Sequence, residues 1–162
     1  MLDACKACGW SRIYWRTYDA GRANFPSKVA IPGENILFDN FANPVLPEDK
    51  AMILNYGVDL SKPEVRQQMQ DQQAKLAAMD YSKFDSVATA VKYGHDIGLQ
   101  IHAWISINED DHGWGGQSDF TLKHPEYRWV RRNGKPYRSQ VSFAFPEALE
   151  YKLSIVRELV EG

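Results

Sequence analysis

Apolar and polar positions are patterned along much of this chain. Leu2 to Cys8 reads as a short helix, closed at Gly9, a residue suited to the left-handed position past a helix end. Arg12 to Asp19 is rich in β-branched and aromatic residues and alternates, with Ile13, Trp15 and Thr17 on one face and Tyr14, Arg16 and Tyr18 on the other. Ala20 to about Leu60 carries Pro26, Pro32, Pro44 and Pro47 and shows no period, which predicts a long excursion. Ser61-Lys62-Pro63-Glu64 has the form of a capping box and opens a Gln-rich surface helix to about Met79. Asp85 is placed to cap a helix whose Val87, Ala88, Ala90, Val91, Gly94 and Ile97 recur at helical spacing. Gly98 stops it and Leu99 to Ile107 follows as a strand, with Ile101, Ala103, Ile105 and Ile107 against His102, Trp104, Ser106 and Asn108. A polar, Gly-rich loop runs from Glu109 to Gly116. A short strand pair is expected around Asn133-Gly134. Pro146 opens a last helix to Glu161, with Leu149, Leu153, Val156 and Val160 as its apolar stripe.

Helices that feed strands through single glycines, with long loops after the strands, predict α/β architecture. The expectation is a partial (β/α)8 TIM-type barrel, its parallel strands joined by long βα loops and its later strands lacking. It forms one domain over 1–162 with an insertion at about 28–79. Two parallel strands cannot satisfy their own edges. The missing barrel strands or a self-association partner would have to do so, and a chain that opens in a helix and stops at Gly162 reads as truncated. The long loops after Asp19 and Asn108 place the functional face at the strands' C-terminal ends.

Composition alters this picture little. A net charge of −2 with 25% charged residues gives no electrostatic case for nucleic acid or an anionic membrane surface. No apolar run approaches membrane-spanning length, and localisation stays open. Cys5 and Cys8 form a lone Cys-Lys-Ala-Cys that lacks the second pair of a zinc site, and both read as small buried apolar residues. No cofactor or metal is expected. The five Trp and eight Tyr exceed what a small core needs and suit a sugar-binding cleft.

Several stretches resemble the glycosyl-hydrolase-like barrel family related to family-ten-like lipoproteins. They are Tyr14-Trp15-Arg16 through Phe25-Pro26-Ser27, Phe84-Asp85 through Gly98, and Ile101-His102-Ala103-Trp104-Ile105. His124-Pro125-Glu126 through Asn133-Gly134-Lys135-Pro136-Tyr137 and Pro146-Glu147 through Glu158 complete them. The resemblance implies a barrel acting on a polysaccharide or glycan, in a group often secreted or lipid-anchored. It also implies that the catalytic Asp-Gly strand would begin after Gly162, so that this portion alone is inactive.

Glycosidic hydrolysis uses two carboxyl groups, a proton donor and a nucleophile or base. The candidates at the predicted mouth are Asp19, Glu109 and Asp110, with Asp111 beside them; Asp19 reads equally as a substrate contact or a loop-fixing hydrogen bond to backbone, and the acidic loop also reads as merely solvated. Arg16 either binds substrate and keeps a carboxylate ionised or forms a structural ion pair. Trp104 is a candidate sugar platform, His102 and Asn108 candidate hydroxyl contacts, and Trp114 a lid or a loop anchor. His112 beside Asp110 could join a metal site but has no second ligand cluster. A non-catalytic carbohydrate-binding barrel or scaffold is the alternative.

Overall fold

The strand Arg12–Asp19 (β1) organises the molecule. In the computed structural model, which describes residues 1–32, 51, 53–55, 57–78, 80, 83–108, 110 and 118–161, β1 follows a first helix, α1 (Leu2–Ala7). Gly9 takes φ +84°, as its place after that helix requires. At its far end β1 turns back through Ala20 (φ 51°) and Gly21 (φ 76°). Two central residues with positive φ make a type I′ turn, whose twist suits a hairpin. The chain returns antiparallel as β2 (Arg22–Ala23), with Tyr18 opposite Ala23 and Asp19 opposite Arg22. β3 (Ile31–Pro32) lies parallel to β2.

Helix α2 (Pro63–Ala77) is mostly polar, with Val65, Met69, Ala74, Leu76 and Ala77 as its apolar residues. Just ahead of it the Ser61 hydroxyl donates to Asp59 Oδ1 at 2.6 Å. α3 (Ser86–Asp96) is capped by Asp85, whose Oδ1 accepts from the Val87 and Ala88 amides at 2.8 and 2.9 Å. Gly98, at φ +75°, then releases the chain into β4 (Gln100–Ile105), which pairs in parallel with β1. α3 packs across β4 and β1, and a Cβ on Gly94 would stand only 2.5 Å from Ile101 Cγ1. This position is therefore glycine for closeness of approach. A short helix α4 (Asp119–Lys123), a 3₁₀ turn (Pro125–Tyr127) and the antiparallel hairpin β5 (Arg128–Val130) and β6 (Pro136–Val141) follow. α5 (Pro146–Glu161) ends the described chain.

The expected barrel is overturned. Its parallel array requires a parallel neighbour on each side of β1, reached by a long βα excursion. Instead the type I′ turn folds the chain back, and the C-terminal end of β1 pairs antiparallel with β2. The result is a mixed four-stranded sheet in the order β3-β2-β1-β4, separate from the two-stranded β5-β6 sheet. Only the first part of the predicted excursion, up to Pro32, and scattered residues after 50 are described; 33–50 lie outside the described residues.

Two predicted faces are also corrected. Between Arg16 and Tyr18 the β1–β4 register shifts, so that Arg16 pairs with Trp104 and Tyr18 with Ile105. The extra residue, Thr17, donates its hydroxyl to the Trp104 carbonyl at 3.1 Å. This bulge turns Tyr18 off the Tyr14/Arg16 face and into the core. There it packs with Ala23, Phe25, Ala30 and Ile155, flanked by Val87, Ile105, Tyr151 and Leu159. In α5 the buried residues are Ala148, Lys152 and Ile155, whereas Leu149, Leu153 and Val160 of the predicted stripe are exposed. The buried side is offset by one residue, about 100° of helix, from the predicted one. Cys8 is likewise exposed and Cys5 only half-buried, and both are free thiols, contrary to the buried pair expected.

Candidate functional site

Upstream of the bulge, alternation sends Ile13 and Trp15 of β1 toward one side, while Tyr14 and Arg16 share the other with His102 and Trp104 of β4. Register makes them cross-strand pairs, Tyr14 opposite His102 and Arg16 opposite Trp104. The Tyr14 and His102 rings lie 5.6 Å apart at 53°. The Arg16 guanidinium lies 4.5 Å from the centre of the Trp104 ring, a cation–π arrangement. Arg16 Nη1 also donates to Asp19 Oδ2 at 2.6 Å. Asp19 thus fixes the cation that stacks on the indole. Tyr14 is 63% exposed and Trp104 46%. Such exposure is unusual for large rings on paired strands, and here both lie on one face beside a cation.

Of the residues singled out from sequence, the fold thus gathers Arg16, Asp19, His102 and Trp104. Asn108 is exposed in the turn just past β4. Glu109, Asp111, His112 and Trp114 lie outside the described residues. Among the described residues, no three His, Cys, Asp or Glu side chains come together where they could hold a metal ion.

Asp110 is placed differently from a solvated loop acid. It is fully buried. Its Oδ1 accepts from the Tyr18 hydroxyl at 2.7 Å and from Lys152 Nζ, and its Oδ2 from Ser118 Oγ at 2.9 Å and Thr121 Oγ1 at 2.5 Å. Lys152 Nζ also donates to the Tyr18 hydroxyl at 2.9 Å and stands 4.5 Å from the centre of that ring. With four donors on two oxygens, the carboxylate is satisfied within the protein. That arrangement anchors the loop after β4 to α5 and leaves no lone pair directed at a ligand. Burial pulls the Lys152 ammonium below its ordinary pKa despite the opposing pull of Asp110. Burial, with Asp110 adding to it, pushes Tyr18 well up. Tyr151 is pushed up to about 12, chiefly by burial.

Sequence reasoning missed this cluster. The available signal was Lys152 itself, which falls in step with Ala148, Ile155 and Leu159 at helical spacing. A lysine inside an apolar stripe implies a buried partner. No family model and no curated protein matches the chain.

Proposed function

We propose that the chain binds carbohydrate on the outer face of β1 and β4. The observation that carries this reading is the exposed pairing of Tyr14 with His102 and Arg16 with Trp104, side by side on one strand pair. Sugar rings present flat C–H faces edged by hydroxyls. The indole, stacked under Arg16 yet 46% exposed, offers its uncovered surface as the apolar platform, and the guanidinium and the His102 imidazole supply hydrogen bonds beside it. The Arg16–Asp19 ion pair keeps the guanidinium in place before a ligand arrives, which lowers the entropy lost on binding. The resemblance to glycosyl-hydrolase-like sequences, carried by Tyr14-Trp15-Arg16 and by His102-Ala103-Trp104 among other segments, supports a glycan ligand.

Glycan hydrolysis by two carboxyl groups is a second reading, favoured by Asp19, which stands at the end of β1 in contact with Arg16. It requires a further carboxylate, because Asp110 is committed to the core. Electrophoresis through gels containing soluble polysaccharides tests the first reading. Wild-type protein is expected to be retarded, and Trp104→Ala to weaken binding roughly tenfold or more, the scale of an aromatic anchor. Trp10→Ala, at an exposed site after α1, should leave retardation unchanged. Equal retardation of wild type and Trp104→Ala would remove this face from consideration. For hydrolysis, Asp19→Asn should abolish release of reducing sugar while weakening retardation less than Trp104→Ala does.

A further inference from the structure

The β5–β6 hairpin concentrates charge in an otherwise acidic chain. Residues 128–138 hold five of the 19 basic residues, Arg128, Arg131, Arg132, Lys135 and Arg138, and none of the 21 acidic ones. Arg128 is half-buried and reaches the Thr121 carbonyl at 3.5 Å. Arg131, Arg132 and Lys135 are exposed at the tip, and among the described residues no carboxylate pairs with them. The tip is held firmly. Arg131 N donates to the Lys135 carbonyl at 2.8 Å, Gly134 N to the Arg131 carbonyl at 2.9 Å, and Lys135 N to Asn133 Oδ1 at 3.1 Å. The Arg131 guanidinium lies 4.3 Å from the centre of the Tyr137 ring, and Tyr137 meets Trp129 edge-on at 6.2 Å. Trp129 is 44% exposed. At the base, Ser142 N donates to the Tyr127 carbonyl at 2.7 Å.

We infer that this hairpin tip binds an acidic glycan, a polymer bearing carboxylate groups on its sugar units. The surface is separate from the β1–β4 face and does not depend on it. Guanidinium groups offer paired N–H donors that match a carboxylate. Arg131 is held by its stacking on Tyr137, so its free edge is presented with little further ordering. Trp129 gives the adjoining sugar an apolar surface. A nucleic acid, with its denser charge, calls for a longer basic track, and outside this hairpin the chain is net acidic.

The test compares affinities for polygalacturonate, for neutral dextran and for an oligo(dT) strand, using the whole chain. Wild type should prefer polygalacturonate to dextran and lose that preference as salt rises from about 50 to 200 mM. Combined Arg131→Gln, Arg132→Gln and Lys135→Gln should weaken polygalacturonate binding roughly tenfold or more, with the circular dichroism spectrum unchanged. Arg131→Lys, which keeps the charge and loses the fork, should give an intermediate loss. The preference should survive Trp104→Ala. A charge preference that the triple substitution leaves intact overturns the inference, as does a wild type without one, or tighter binding of oligo(dT) than of polygalacturonate. Polygalacturonate binding that is lost with the hairpin cations and indifferent to Trp104→Ala, alongside no affinity for dextran, counts against the β1–β4 reading alone.

Discussion

Lys152 carries its charge into the core, and its partners determine what that costs. Asp110 and Tyr18 both receive its protons, and Asp110 takes further bonds from Ser118 and Thr121. Removing one member strands the others. Lys152→Met alone should destabilise the protein by about 3–5 kcal/mol, measured by denaturant unfolding, because a buried carboxylate loses its counter-ion. Lys152→Met with Asp110→Leu should cost less than the sum of the two single changes. The same cluster sets the alkaline limit of stability. Tyr18 lies well above its ordinary value and Tyr151 at about 12, both chiefly through burial. A phenol whose pKa is higher in the fold than in the unfolded chain lends stability that is intact below about pH 10 and lost as pH climbs toward 12. Lys152, lowered by burial, acts in the opposite sense, its contribution growing as pH rises toward 10.5. Above that value only the phenol loss remains, so the melting temperature should fall between about pH 10.5 and 12. Tyr151→Phe should show a shallower fall over the same range. An unchanged slope would mean that Tyr151 ionises freely in the fold.

At the scale of elements, helix ends and strand cores were legible, and faces were not always. The cap at Asp85, the glycine stops at Gly9 and Gly98 and the turn at Asn133-Gly134 are local chemistry, and local chemistry is written in neighbouring residues. The expected buried side of α5 differs from the observed one because Leu149, Leu153 and Val160 are more hydrophobic than Ala148 and Lys152. Burial of Lys152 depends on Asp110, 42 residues earlier in the chain. No period in the helix encodes that pairing. Ile155→Ala should therefore cost about 2–4 kcal/mol in unfolding measurements, and Leu153→Ala under about 1 kcal/mol. Equal costs would contradict the orientation of α5. Gly94→Ala offers a separate check on α3. Alanine favours a helix by about 1 kcal/mol, but its Cβ would overlap Ile101 Cγ1 and Cδ1 at 2.5 and 2.6 Å. A net loss of roughly 1–3 kcal/mol is expected, partly restored by Ile101→Ala in the same chain.

For the molecule as a whole, the sequence signals for β1 and β4 were sound but their extrapolation to a barrel was not. Asp19-Ala20-Gly21 holds a tight reversal in which a non-glycine residue, Ala20, adopts positive φ. Nothing in its side chain announces that. The prolines downstream suggested a long excursion, and the reversal inside its first residues was hidden by them. The bulge at Thr17 was equally illegible, since it depends on the partner strand. Of the candidate site, alternation put Arg16 on one face of its strand and His102 and Trp104 on one face of theirs, and the parallel register of β1 and β4 brings the two faces together. Asp110 could not be read in this way, because its role lies in contacts made across the fold. The central functional claim is that the Tyr14, Arg16, His102 and Trp104 face receives sugar rings. Its most direct measurement is a nuclear magnetic resonance titration of isotope-labelled protein with oligosaccharides cut from the polysaccharide that retards it most. Saturable shifts at the Trp104 indole N–H and the His102 ring, with Trp10 silent, are the predicted result. An unmoved Trp104 signal while resonances elsewhere saturate would contradict the account.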